Sequence, residues 1–280
     1  MVPVNWPAKD STPTGRETRL SWMLLAVDVG NTNVTMGLFD GERLAHTFRI
    51  GSPHDRTEDE FGALLHQLLG MRNIASSAIQ AVIIASVVPP LTDVICHAVR
   101  RTFARDPLVV GGPGMKTGIA VLYDNPRDVG ADRIVNAVAA FDSIDKGGVI
   151  VVDFGTATTL DCVSPNAEYL GGVIVPGVEV SLRALLGRAA KLGPVELAAP
   201  PKVVGRNTPH AIQSGIVNGY ACLVDGLIDK IKQELSFECS VVATGGLASL
   251  IAPSTRSLKT VDPDLTLRGL RLLYERNRAG

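Results

Sequence analysis

The chain has 280 residues, 46% of them hydrophobic and 20% charged, with Lys+Arg 27 against Asp+Glu 28 for a formal net charge of -1. That length suits about two domains or one duplicated one, and the composition excludes disordered, collagenous and coiled-coil classes. The charge balance argues against a broad attraction to nucleic acid or anionic membrane, and no uninterrupted apolar run reaches the roughly 18 residues of a membrane helix, so neither partner is expected.

Residues 1–22 carry Pro3, Pro7, Pro13 and Gly15 among polar groups without periodicity and read as a disordered leader, with Met23 an alternative first residue. Leu24 to Val27 then predicts a short apolar strand that ends in a polar bend, Asp28-Val29-Gly30-Asn31-Thr32-Asn33. Further strands are predicted over Thr35–Phe39 and about Leu44–Ile50, turning at Asp40-Gly41. Phe61, Leu64, Leu65, Leu68 and Leu69 recur at helical spacing, and Ala81 to Val88 reads as a buried strand. A helix is expected over Asp132–Phe141, with a division of the chain into halves 23–140 and 141–280. The second half repeats the plan: Gly148–Val152 is an apolar strand, Asp153-Phe154-Gly155-Thr156 a second acidic bend, and strands follow over Leu160–Val163 and Tyr169–Val175. Val241 to Ala248 breaks at Gly245-Gly246 as a buried strand leading into a helix, so the order of elements suggests a duplication.

Several stretches could carry chemistry. A small-residue bend at the end of a buried strand aims backbone N–H groups into one cavity, and an acid at its edge can hold magnesium bridging phosphates. One Asp-x-Gly bend is most simply a hairpin; two at equivalent places suit a nucleotide triphosphate gripped between them. Gly245-Gly246 offers a third close approach of backbone to an anion or a base. The polar stretch Tyr123 to Arg133 leads into a helix, where Asp132 reads either as an N-cap or as the acceptor of a proton from an attacking hydroxyl, with Arg133 binding a carboxylate or phosphate. Gly111 to Thr117 resembles a P-loop but has Met115 where the motif requires Gly. The histidines show no metal-ligand spacing and no serine sits in a GxSxG elbow. Cys96, Cys162, Cys222 and Cys239 form no CxxC pair and read as reduced, buried and inert, which, with no secretory signal pattern, makes the cytoplasm the expected address.

Asp28-Val-Gly-Asn-Thr-Asn33, Asn125-Pro126 with Gly130-Ala-Asp-Arg133, Asp153-Phe-Gly-Thr-Ala-Thr-Thr159, Gly171-Gly172 with Pro176-Gly177, and Thr244-Gly-Gly246 occur in this order. Together they closely resemble the type III pantothenate kinases, over about residues 23–272. The resemblance implies an α/β fold of two ribonuclease-H-like halves, as in actin-like ATPases, flanking a nucleotide cleft, and transfer of the γ-phosphoryl group of ATP to the primary hydroxyl of pantothenate, the first step toward coenzyme A. It implies ATP contacts at Asp28, Val29, Gly30, Asn31, Thr32, Asn33, Val34, Thr35 and Thr156, with Asp28 near Mg2+. Gly130, Ala131, Asp132 and Arg133 match the pantothenate-binding motif, Asp132 in the place of the proton acceptor, while Tyr123 and Thr208 fall where the family contacts pantothenate. Asp153 matches the ligand of a monovalent cation, K+ or NH4+, and the family forms homodimers with substrate sites at the interface. Two other readings are a kinase of another small alcohol on the same fold and a non-catalytic transcription accessory factor, the second disfavoured by the near-neutral charge and by the presence of Asp132 and Asp153.

Overall fold

The computed structural model describes residues 22–52, 55–188 and 193–278; the leader expectation, apart from Trp22, lies outside them. Two mixed sheets carry the molecule. In the first, β1 (Met23–Val29), β2 (Asn33–Asp40) and β3 (Arg43–Gly51) form an antiparallel meander, and β4 (Ile79–Ser86) and β5 (Leu108–Val109) add in parallel on the other side of β1, giving the order β3-β2-β1-β4-β5. β6 (Ala120–Val121) comes before the second meander in the chain but pairs with it. That meander is β7 (Gly148–Phe154), β8 (Ala157–Val163) and β9 (Glu168–Pro176), extended in parallel by β10 (Cys239–Thr244) and β11 (Thr260–Val261). Without β6 the second sheet reads β9-β8-β7-β10-β11, the same plan in the same order. The duplicated ribonuclease-H-like architecture is therefore present strand for strand.

Alternation along the two leading strands explains where the acids stand. In β1, Leu25, Val27 and Val29 enter an outer core with Phe61 and Leu65 of α1 (Glu58–Gly70) and Ile95 and Val99 of α2 (Pro89–Phe103). Leu24 and Ala26 face the opposite way, into a central core, and Asp28 is the next residue in that inward row. β7 repeats the pattern: Ile150, Val152 and Phe154 point outward to α5 (Thr208–Glu234) and α6 (Ala248–Ile251), while Val149 and Val151 point to the centre, followed by Asp153. Each inward apolar row thus runs out at a carboxylate on the face turned toward the other sheet.

The central core is filled by α3 (Ala131–Asp142) and α7 (Leu265–Asn277), packed against each other between the sheets. A Cβ placed on Gly269 of α7 would overlap the Val135 carbonyl and lie 2.7 Å from Val135 Cγ1, so the two backbones approach closely there. Thr57 starts α1 with a reciprocal cap, its N–H donating to Glu60 Oε2 at 2.8 Å. β4 and β10 both end earlier than their apolar runs, at Ser86 and Thr244, because the chain there turns into loops that reach the cleft. Cys96, Cys162 and Cys239 are buried and free as expected, but Cys222 is exposed: Ala221, Val224 and Ile228 set the inward stripe of α5, and Cys222 lies one step around the helix from it. By length and composition α5 could cross a membrane; its inward stripe instead packs on the second sheet.

Candidate active site

Between the sheets lies a cleft of about 620 Å³, and the two acidic bends form its floor. In the first bend the Gly30 N–H donates to the Asn33 carbonyl at 3.0 Å; in the second the Gly155 N–H donates to Ala157 at 3.0 Å, so the second bend is shorter by one residue. The hydroxyls of Thr32 and Thr156 meet across the gap at 2.9 Å. Ser52 braces the first bend by donating its hydroxyl to the Gly30 carbonyl at 2.6 Å, and the Gly177 N–H braces the second through Thr156 at 3.1 Å, where α4 (Val178–Arg188) begins. Val29 and Val34 are fully buried behind the first bend and hold it to the outer core, so of the first stretch Asp28, Gly30, Asn31, Thr32, Asn33 and Thr35 reach the cleft.

Asp132 enters the same cleft from the first turn of α3. It does not cap that helix. Gly130 is the N-cap, and Asp132 instead folds back to accept the Arg133 N–H on Oδ1 at 2.8 Å. Gly130 makes this possible, because a side chain there would strike Asp132 Oδ1. The third turn completes the rim: Gly245 sits at φ +92, and a Cβ on it would fall on Asp153 Oδ1 and 2.6 Å from the Phe154 nitrogen, so glycine alone lets this backbone lie against the second bend.

The electrostatics follow from three acids sharing one half-buried space. Burial, and then the charges of Asp132 and Asp153, push Asp28 up to about 8, against the pull of Arg49. Burial, then Asp132 and Asp161, push Asp153 up to about 7, opposed by a hydrogen bond from Asn136. Asp132 is raised as well, chiefly by burial. Such a set is a strong attractor for cations. Among the described residues no three His, Cys, Asp or Glu side chains converge to hold a metal alone. Asp153 is held on one side: Asn136 Nδ2 donates to its Oδ2 at 3.0 Å, oriented in turn by Thr266, whose hydroxyl donates to Asn136 Oδ1 at 2.7 Å. This leaves Oδ1 on the side of Gly155 and Gly245.

Of the six expected substrate contacts only Asp132 lines the cleft; Gly130 and Ala131 precede it in the chain, and the other three lie elsewhere. Arg133 turns inward, its guanidinium 2.6 Å from buried Asp161, which also accepts Tyr169 Oη at 2.6 Å. Tyr123 packs on Tyr169 with ring centroids 6.3 Å apart and lies against Gly171, beside that buried group. Thr208 is exposed at the start of α5, where it lines a separate hollow with Leu185, Asn207 and Ile212. Among the residues missed by sequence reasoning is Arg49, a cleft-lining cation on β3. Its only signal was its place between Phe48 and Ile50, which both pack on the outer core and so turn Arg49 toward the center.

The family model described as type III pantothenate kinase matches residues 24–230. A type III pantothenate kinase of Myxococcus xanthus (strain DK1622) is 52% identical over 257 residues, covering 92% of this chain and 100% of that protein. Among solved structures, a candidate Baf family transcriptional activator from Campylobacter jejuni superposes with TM-score 0.53 at 21% identity, covering 91% of this chain and 98% of the other. A candidate N-acetylglucosamine kinase from Porphyromonas gingivalis gives TM-score 0.50 at 15% identity, covering 92% and 100%. At those identities the two structures speak for the fold alone.

Proposed function

The chain belongs to the type III pantothenate kinases, enzymes that phosphorylate pantothenate on the way to coenzyme A, and we propose that ATP lies between its two acidic bends with the pantothenate hydroxyl presented at Asp132. What carries this reading is the 2.9 Å meeting of Thr32 and Thr156: turns 124 positions apart offer N–H and hydroxyl donors to one narrow gap. Phosphoryl transfer passes through a loose transition state, so the protein's task is positioning and charge stabilisation. The bends hold the phosphates. Asp28 would hold Mg2+ through them and Asp153 a K+ or NH4+ ion; the chemistry these supply when bound is neutralisation of charge on the phosphate oxygens.

Asp132 is suited to take the hydroxyl proton, since burial raises it toward the working range of a general base while the Arg133 N–H holds Oδ1 in place. Gly130 and Ala131 present that carboxylate, while Arg133, paired with buried Asp161, and Tyr123, packed on Tyr169, brace the chain behind it. Thr208 serves the site of a second copy in a homodimer. Supporting this are its exposure away from its own cleft and the smooth outer face of α5, where Gly215, Gly219 and Gly226 have nothing within 4 Å. Free cysteines and a nucleotide substrate support a cytoplasmic address. The test is direct: purified protein with ATP, Mg2+, K+ and pantothenate is expected to yield ADP and phosphopantothenate, and absence of turnover with K+ and with NH4+ would overturn the proposal.

A further inference from the structure

The duplication gives each half a row of three residues at the mouth of its bend. In the first sheet Asp28 pairs with Thr35 and Thr35 with Arg49; in the second Asp153 pairs with Thr159 and Thr159 with Ile174. Residues opposite one another in paired strands share a face, so both rows look toward the center. The halves agree in the acid and the threonine and differ in the third member. Arg49 also reaches the other half: a Cβ on Gly246 would lie 3.6 Å from its Nη1. The other arginine of the cleft, Arg183, is tied to Glu179 at 2.8 Å, whereas Arg49 makes no ion pair among the described residues.

We propose that Arg49 is a phosphate-binding residue of this kinase, its guanidinium gripping the terminal phosphates of the nucleotide from the first half while its counterpart Ile174 leaves the second half uncharged. The inference rests on the nucleotide lying between the bends. A planar fork fits phosphate oxygens two at a time, and a free guanidinium in a cleft floored by three acids supplies a positive charge of the protein's own.

The test is titration calorimetry of Arg49→Ala, Arg49→Lys and Ile174→Ala with ADP, AMP and ATP·Mg2+, alongside wild-type turnover. Arg49→Ala is expected to weaken ADP and ATP by about tenfold or more with AMP unchanged, Arg49→Lys to recover part of the loss, and Ile174→Ala to bind nucleotides as wild type does. A role in folding alone would not separate ADP from AMP. Equal affinity of Arg49→Ala and wild type for ADP and ATP overturns the inference; should that variant not fold, Arg49→Gln carries the same comparison. Unchanged ADP affinity beside normal pantothenate turnover removes Arg49 and keeps the proposed function. Weakened ADP binding beside a wild type inert toward pantothenate does the reverse.

Discussion

Asp28, Asp132 and Asp153 are held where ionisation is costly, and the cost has a measurable sign. For Asp28 the folded protein binds its proton up to about 8, against 3.8 for the free group. Below the unfolded value the carboxyl is neutral in both states and costs nothing; as pH rises toward the folded value, the unfolded chain gains from ionising and the ligand-free fold loses stability. Asp28→Asn is therefore expected to raise the melting temperature of the ligand-free protein, by an amount that grows from pH 5 to pH 8. A gain independent of pH would contradict the assignment. Asp132→Asn keeps the shape and removes the base, so turnover should fall by about a hundredfold or more with ADP affinity preserved; near-normal turnover in the folded variant would take Asp132 out of that role. Both acids were legible from the chain as strand-end or helix-start carboxylates beside glycine. Arg49 was not, because its meaning depends on which residue of β2 it faces, and the inward turn of Arg133 depends on Asp161, which arrives from a different strand.

Among elements, β1 and β7 were readable because alternation ends at an acid in each, and the bends follow at once. The helices between the sheets were harder. α3 shows apolar residues nearly all round, but its partner α7 comes from the far end of the chain, and periodicity carries no information on which helix meets which. Their contact is built on Gly269 against Val135, so Gly269→Val should overpack the junction and lower stability by about 1–3 kcal/mol. Urea unfolding measures this, and a variant as stable as wild type would mean that the helices can separate at no cost. Because α3 also carries Asp132, the same substitution should lower turnover.

At the scale of the whole molecule, one strand plan used twice places two like bends face to face, and the copies differ in what they bring to the cleft. The first contributes a longer bend and Arg49; the second contributes the Asp153 pocket closed by Gly245. The duplication itself was visible in element order, whereas β6 joining the second sheet from ahead of it was not, since two residues of strand leave no pattern. The separation of Thr208 from the cleft was also hidden, as chain order does not tell which loops the fold brings together. A crystal structure with a nonhydrolysable ATP analogue, Mg2+ and pantothenate tests the central claim most directly. The β- and γ-phosphates are expected to touch Gly30–Asn33 on one side and Gly155–Thr156 on the other, with the pantothenate hydroxyl at Asp132; phosphates held by a single bend, or lying outside the gap, would contradict it.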